Sequence, residues 1–200
     1  MKPISFPTSF LRSISTAVAA FFLFFLILPG GQVNAQEYQS PTQPPLIGRS
    51  PGVHVKLISD SGTTRAYALI FSAGDEILSG LKEFAIKYHV KSAHFTAIGD
   101  ASSAKYGWYD RSKKMFKVFR IQHFSEITSL IGDIATYNGV PVVHAHANFG
   151  TEDGTVRGGH LLEAFISPTL EVMMTVEPEP LYKKMAPEFG ILVIDPAGRK

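Results

Sequence analysis

The chain has 200 residues, a formal net charge of +2 and no cysteine. Without cysteine the fold contains no disulfide, and any metal site must be built from histidine and carboxylate side chains. Lys2 and Arg12 are the only charged residues among the first 35, so 19 basic and 17 acidic residues become 17 of each beyond that point. A formally neutral chain is a poor candidate for non-specific nucleic-acid binding, which depends on neutralising phosphates.

The first 35 residues are predicted to be a secretory signal peptide. A weakly basic start precedes the apolar run "AVAAFFLFFLIL", and "VNA" ends at Ala35 with a suitable cleavage site. The run is shorter than the roughly 20 residues that span a membrane comfortably. We therefore expect a secreted or periplasmic protein after cleavage near Ala35, without a stable membrane span. An uncleaved N-terminal anchor is the alternative.

Beyond the signal peptide we expect one domain. Residues 36–52, "QEYQSPTQPPLIGRSPG", are rich in Pro, Gln and Ser, which predicts an extended leader. The domain is expected to span residues 53–195, with a short tail at 196–200. About 150 residues bury an adequate core in one domain without disulfides.

The domain starts with two strand-like runs and then a helix. "VHVKLIS" and "RAYALIFS" flank the turn "DSGTT". The next segment, "GDEILSGLKEFAIKYHV", carries apolar residues at helical spacing from Ile77 to Tyr88. Asp75 is placed to cap the first turn of this helix.

After Tyr88 the pattern is mainly that of strands. "SAHFTAIGDASSAKYGWYD" predicts a strand bent at Gly99, "MFKVFRIQHF" predicts another, and "EITSLIGDIATY" fits either a strand or a helix. Asn138-Gly139 is a strong hairpin signal. Further strands are expected at "VPVVHAHANF", "VRGGHLLEAFIS", "LEVMMTV" and "FGILVID". Together these elements predict an α+β domain, a mainly antiparallel sheet packed with one or two helices.

Three of the seven histidines, His144, His146 and His160, lie close together in the sequence. Residues two apart on a strand point to the same face, so His144 and His146 project together, roughly 6–7 Å apart. A hairpin turning at residues 152–154 places His160 opposite His146, because 146 and 160 are symmetric about 153, and opposite residues share a face. All three imidazoles are therefore expected to converge.

Three neutral imidazoles with a water as the fourth ligand form an open zinc site. Such a metal lowers the pKa of its bound water to near 7 and polarises a carbonyl. A nearby carboxylate could act as a base or hold a ligand imidazole, and the candidates are Glu163, Glu152 and Asp153, with Glu163 preferred as the catalytic residue. The alternative is that the histidines are hydrogen-bonded strand or interface residues that bind no metal.

Other residues near and far from the cluster have simpler interpretations. Gly158 and Gly159 leave room for another backbone to approach closely, or for a bulge, just before His160. The remaining histidines are expected to be structural or surface residues. They are His54, His89, His94 and His123.

The pieces "GVPVVHAHA", "GGHLLEA" and "PTLEV", with "AIGDASSAKYGWYD" and "SEITSLIGDIATYNG" upstream, resemble the stand-alone bacterial members of the PPC ("plants and prokaryotes conserved") domain family. The likeness covers about residues 53–195. It implies a compact α/β fold around an antiparallel sheet that assembles as a homotrimer. At fold level the chain also resembles the acetolactate decarboxylase group, whose zinc is held by an H-x-H pair and a later histidine on the adjoining strand. That analogy supports zinc at the three histidines and says little about substrate.

The resemblance also bears on partners. In plants the PPC domain follows AT-hook motifs with an Arg-Gly-Arg-Pro core, and this chain contains no such stretch. We therefore expect no nucleic-acid partner. The leading hypothesis is an exported homotrimer with a zinc site, a hydrolase or lyase for a small carbonyl-bearing molecule. A non-catalytic binding or scaffold module of the cell envelope is the alternative, and a DNA-binding domain is the second.

Overall fold

The computed structural model describes residues 35–198 of the chain. The predicted signal peptide lies outside the described residues except for Ala35, so it stays a prediction, as does the end of the tail. Within the described part, no helix combines the length and the apolar character needed to cross a membrane.

Residues 35–198 form ten strands and one helix. The strands in chain order, with the helix after the third, are β1 (Tyr38–Gln39), β2 (His54–Asp60), β3 (Arg65–Ser72), α1 (Ile77–Lys87), β4 (Ser92–Asp110), β5 (Met115–Ile121), β6 (Ser125–Tyr137), β7 (Val140–Gly150), β8 (Val156–Val176), β9 (Tyr182–Ala186) and β10 (Ile191–Asp195).

The sheet is mainly antiparallel, and its main path runs β1-β5-β4-β6-β7-β8-β3-β2. β8 also pairs with β4, so β4, β6, β7 and β8 form a closed circuit of paired strands. β9 and β10 form a hairpin that joins β6 in parallel at Thr136 and Tyr182. The predicted α+β class is confirmed at this level, with one helix in the described part of the chain.

The core lies between α1 and the inward face of the sheet. Leu69 and Phe71 of β3, Ile77 and Leu81 of α1 and Phe149 of β7 are fully buried. Each of these side chains contributes about 1.5–3 kcal/mol by leaving water. The helix therefore packs on the same strand, β7, whose opposite face carries His144 and His146.

Glu76 caps the helix, so the predicted Asp75 cap is wrong by one residue. Glu76 has the extended backbone of a cap residue, φ −102° and ψ 127°, and the helix begins at Ile77. Asp75 faces the preceding segment instead. The Glu76 carboxylate accepts the N–H groups of Leu78 and Ser79, and the Asp75 carboxylate accepts those of Gly52 and Ser72.

Several strands differ in detail from the prediction. The ambiguous segment "EITSLIGDIATY" lies in strand β6, because β4 and β7 pair with it on its two sides. The two segments before and after "SPT" belong to one long strand, β8, instead of two. The predicted bend at Gly99 is confirmed by a register shift between Ala97 and Gly99, where a side chain would collide with the Thr169 carbonyl at 2.3 Å.

Part of the segment predicted as a leader is packed on the domain. Tyr38 and Gln39 add a short strand to the edge of β5, which satisfies backbone groups that would otherwise face water. Glu37 forms an ion pair with Arg120. Ser50 is 6% exposed. Parts of residues 36–52 are therefore packed against the fold instead of being detached from it.

Candidate metal centre

The hairpin of β7 and β8 brings the three histidines together as their spacing predicts. His146 pairs directly opposite His160, and Gly150 opposite Val156 at the end of the hairpin. One ligand nitrogen from each of His144, His146 and His160 lies within 4.8 Å of the other two. Their ring centroids are 5.1 to 5.4 Å apart. The group is able to hold a metal ion.

Two glycines allow the neighbouring strands to approach β8 just before His160. A Cβ atom on Gly158 would lie 2.2 Å from the Ala147 carbonyl oxygen, and one on Gly159 would lie 2.6 Å from that of Gly107. Any larger residue would push β7 or β4 away from β8. The predicted close backbone approach is confirmed, and it fixes the position of His160 between the two strands.

Burial keeps two of the imidazoles neutral. His160 stacks on Phe116 with ring centroids 4.3 Å apart. Burial lowers the pKa of His160 to about 3, and repulsion from Lys183 and from either neighbouring histidine when protonated adds to this effect. Burial and the neighbouring His144 also lower the pKa of His146. The neutral imidazole is the form that binds a metal, so both residues are ready to coordinate at pH 7.

Asp133, which the sequence analysis missed, is the carboxylate that touches the cluster. Its Oδ2 atom lies 3.3 Å from His144 Nδ1, and its Oδ1 atom lies 2.8 Å from Lys183 Nζ. Burial would raise the pKa of Asp133, but the contacts with His144 and Lys183 outweigh burial and hold it below its usual value. An ionised carboxylate at Nδ1 fixes the ring orientation and leaves Nε2 available to a metal.

A signal for Asp133 was present in the sequence. Positions 133 and 144 are symmetric about the Asn138-Gly139 turn, and the structure pairs them directly across β6 and β7. Residues at equal distances from a hairpin turn lie opposite each other, so the reasoning that predicted the pairing of His146 with His160 also predicts this contact. No comparable signal pointed to Lys183, which reaches Asp133 from β9.

Glu163, the predicted catalytic carboxylate, is bound to two cations. Its Oε2 atom lies 2.8 Å from an Nη atom of Arg49, and its Oε1 atom lies 2.9 Å from Lys105 Nζ. Burial would raise the pKa of Glu163, but these contacts outweigh burial and lower it. Glu163 lines the same cavity as the histidines, so its catalytic role stays a prediction, with Asp133 nearer to the candidate ligands.

The other two candidate carboxylates lie at the exposed tip of the β7–β8 hairpin. Hydrogen bonds from Thr151 and then Thr155 lower the pKa of Asp153 to about 2. Neither Glu152 nor Asp153 is among the described residues that line the cavity. The four scattered histidines are all exposed, in agreement with a surface role. They are His54, His89, His94 and His123.

The histidines face a cavity of about 1190 Å³. Its lining combines β4, β7 and β8 with residues 39–46 and Arg49 on one side and residues of β9 and β10 on another. Its volume is somewhat above the roughly 300–1,000 Å³ usual for small-molecule sites, and apolar walls with a few polar groups are typical of such sites. The cluster is therefore part of a chamber that could hold a ligand beside a metal.

The profile of the Plants and Prokaryotes Conserved (PCC) domain matches residues 58–177. The matched region includes all three histidines and Asp133. A search of the curated proteins found no match.

Several solved structures share the fold. A candidate DNA-binding protein from Ralstonia eutropha JMP134 is 30% identical, with 70% of this chain and 95% of that chain covered and a TM-score of 0.63. A plant- and prokaryote-conserved (PPC) protein from Pyrococcus horikoshii is 29% identical, with 71% and 94% covered and a TM-score of 0.62. A protein described as metal-containing, from Archaeoglobus fulgidus, is 24% identical, with 72% and 97% covered and a TM-score of 0.61. At that last identity the likeness shows the fold alone.

Proposed function

Because the chain belongs to the Plants and Prokaryotes Conserved domain family, we propose that it is a zinc-binding member of that family, a hydrolase or lyase for a small carbonyl-bearing molecule. The observation that carries this proposal is the convergence of three histidine nitrogens within 4.8 Å of one another at a cavity of ligand size. Membership itself rests on the profile match over residues 58–177. The metal-containing relative from Archaeoglobus fulgidus is consistent with a metal here.

The chemistry of the donor set favours zinc. Imidazole ligands without thiolate suit Zn²⁺ and its neighbours in the first transition row, and three protein ligands leave a position for water or substrate. When bound, zinc would polarise a substrate carbonyl and acidify a coordinated water. The likeness to the acetolactate decarboxylase group points the same way, as an analogy of fold only.

The surrounding residues have separate tasks in this proposal. His144, His146 and His160 bind the ion, and Asp133 orients the His144 ring through Nδ1. Phe116 packs on His160 and shields it from water. Glu163 is the carboxylate proposed to move a proton, and it can do so only if the substrate loosens its contacts with Arg49 and Lys105.

Cobalt substitution followed by a substrate screen tests this function. In an open site the visible spectrum of the Co²⁺ protein shifts when a small anion such as azide replaces water, whereas a closed structural site does not respond. Esters, lactones and keto acids would then be screened with the zinc-loaded protein and with a His146→Ala control. A site closed to azide, with no turnover above the control for any class, would contradict the proposal and favour a non-catalytic binding or scaffold module.

DNA binding is the remaining alternative, because the similar protein from Ralstonia eutropha is a candidate DNA-binding protein. Residues 36–200 carry 17 basic and 17 acidic side chains. A neutral surface without an AT-hook gives little phosphate neutralisation. Duplex DNA at low salt should therefore not bind, and a salt-dependent complex would revive this alternative.

We further propose that the protein works as an exported homotrimer, as the family resemblance implies. Ile131 and Met173 both lie opposite Thr96, so they share one outer face of the sheet, and they are 55% and 50% exposed. Exposed apolar side chains of this kind commonly mark interfaces. Light scattering of the mature chain should give three times the monomer mass, whereas a monomer would contradict the trimer.

A further inference from the structure

Part of the wall of the histidine cavity comes from segments of the chain that the family profile does not match. The profile covers residues 58–177. The cavity is also lined by residues 39–46 and Arg49 before this region, and by Lys183 and residues 191–194 after it. These flanking segments lie outside the region that the profile matches, and they bring Arg49 and Lys183 to the site.

We propose that the cavity binds a small organic anion, whose carboxylate contacts Arg49 and Lys105 while its carbonyl faces the three histidines. This inference deepens the proposed function. The contact between the ligand carbonyl and the histidines rests on that function, whereas the contact between the ligand carboxylate and the cations rests on the segment that supplies Arg49. The ligand class is thus a linear acid that also carries a ketone, aldehyde or ester group.

The charges that line the cavity favour an anion. The lining contains four basic side chains and two acidic ones, Glu76 and Glu163. The carboxylate of Glu76 is committed to backbone N–H groups at the start of α1 and on β8. Lys183 is balanced by Asp133. The surplus positive charge lies on the remaining basic residues, Arg49, Lys82 and Lys105, which Glu163 only partly offsets.

Arg49 and Lys105 retain donors for a ligand. Arginine has five N–H donors and lysine three, and among residues 35–198 the hydrogen bond that the structure records for the Arg49 guanidinium is to Glu163. The two side chains are 29% and 28% exposed, so they border the cavity without being sealed off. The planar guanidinium matches a carboxylate in geometry as well as charge.

Arg49 is also held in position before any ligand arrives. Its backbone N–H donates to Ser79 Oγ at 3.0 Å, and its carbonyl accepts the Glu76 N–H at 3.0 Å. Its guanidinium carbon lies 4.6 Å from the centroid of the Phe165 ring. Preorganisation of this kind lowers the entropic cost of binding.

The spacing of the two ends indicates the length of the ligand. His160 pairs with Gly107, and Glu163 pairs with Lys105, so two residues of β4 and three of β8 separate the ends. This corresponds to roughly 7–10 Å along the strands. A ligand that reaches both ends needs its carbonyl and carboxylate several carbons apart.

The test compares 6-oxoheptanoate with its neutral amide, 6-oxoheptanamide, by isothermal titration calorimetry on the mature chain. Each ligand is titrated into zinc-loaded and metal-free protein. The acid should bind at least about 10-fold more tightly than the amide, because a charged hydrogen-bonded pair is lost in the amide. Arg49→Gln and Lys105→Gln should each reduce this preference to about 3-fold or less, while Arg157→Gln, which removes an exposed arginine outside the cavity, should retain it.

The outcomes separate this inference from the zinc proposal. A preference for the acid that disappears in Arg49→Gln, with zinc content unchanged, supports the anion site. If the mature chain binds no zinc but the metal-free protein still prefers the acid, the zinc proposal is contradicted and the anion site is supported. Equal binding of acid and amide, no binding of either, or an acid preference unaffected by Arg49→Gln would overturn the anion site.

Discussion

Two carboxylates near the histidine cluster, Asp133 and Glu163, have different partners. Asp133 contacts one candidate metal ligand and one buried lysine, with Lys183 only 2% exposed in its side chain. Glu163 contacts no histidine among the described ion pairs and instead joins Arg49 to Lys105, both more than a quarter exposed. Asp133 therefore contacts the candidate metal centre, whereas Glu163 balances the charges of two cations.

The difference shows that closeness in sequence is a poor guide to the role of a carboxylate. Glu163 lies three residues from His160, yet a register shift in β8 near this point and the approach of Arg49 direct it toward the cations. Asp133 is eleven residues from His144 along the chain, yet the β6–β7 hairpin sets them side by side. Strand pairing, which acts across the sheet, decides which carboxylate supports a ligand.

The largest expected difference between the two regions is in pH dependence. The pKa of His160 is about 3 in the folded chain, against the 6.5 of an unperturbed histidine. Between these values the unfolded chain takes up a proton that the folded chain does not, so stability is lost as the pH falls. We expect the metal-free protein to lose up to about 1.4 kcal/mol of unfolding free energy per pH unit between about pH 6 and pH 4.

Denaturant unfolding of the metal-free protein over this pH range measures the effect. His160→Gln should have a clearly smaller slope. Glu163→Gln should match the wild-type slope above about pH 5, because the lowered pKa of Glu163 makes its contribution fall away only at lower pH. An unchanged slope in His160→Gln would show that burial of the imidazole does not control acid stability.

The next largest difference is in metal affinity. Asp133→Asn removes the charge that orients His144, and loss of such a partner lowers metal affinity by about 10- to 100-fold. Glu163→Gln is the matched control, since it makes the same change from carboxylate to amide at a residue paired with Arg49 and Lys105, and it should alter metal affinity by less than about 3-fold. Competition with a chromophoric chelator measures both. Equal losses in the two variants would break the distinction between the carboxylates.

The smallest difference is in stability at neutral pH. Lys183→Met leaves the Asp133 carboxylate without its lysine partner and should lower the free energy of unfolding by about 1–3 kcal/mol, because one side of a charged hydrogen bond is then unsatisfied. Lys105→Met removes a more exposed cation, and Glu163 keeps Arg49, so the cost should stay within about 1 kcal/mol. Urea unfolding at pH 7 compares the two. A larger cost for Lys105→Met would reverse the assignment.

Much of the fold and of the histidine cluster could be predicted from local signals. Alternation of apolar and polar residues, together with hairpin turns, predicted the strands. Symmetry about Asp153 predicted the pairing of His146 with His160, which the structure contains. The Asn138-Gly139 turn carried the same information for Asp133 and His144. These contacts are predictable because the two strands of a hairpin are joined by a short turn that sets their register.

The cavity walls could not be predicted, because tertiary contacts place them. Lys183 arrives on a hairpin that meets β6 at a single parallel pair, Thr136 with Tyr182. Arg49 lies in a segment whose Pro, Gln and Ser content suggests only an extended chain. The prediction of the helix cap was wrong for the same reason. The contacts of Asp75 with Gly52 and Ser72 decide which of the two adjacent acidic residues faces the helix.

The most direct test of the metal centre is elemental analysis of the mature chain, residues 36–200, prepared without a histidine tag. We expect about one zinc ion per chain when the protein is expressed in zinc-supplemented medium. His144→Ala and His160→Ala should lose this zinc, and His94→Ala, which removes an exposed histidine outside the cluster, should keep it. A folded protein that contains no metal, or that keeps its zinc when His144 and His160 are replaced, would show that these histidines do not form a zinc site.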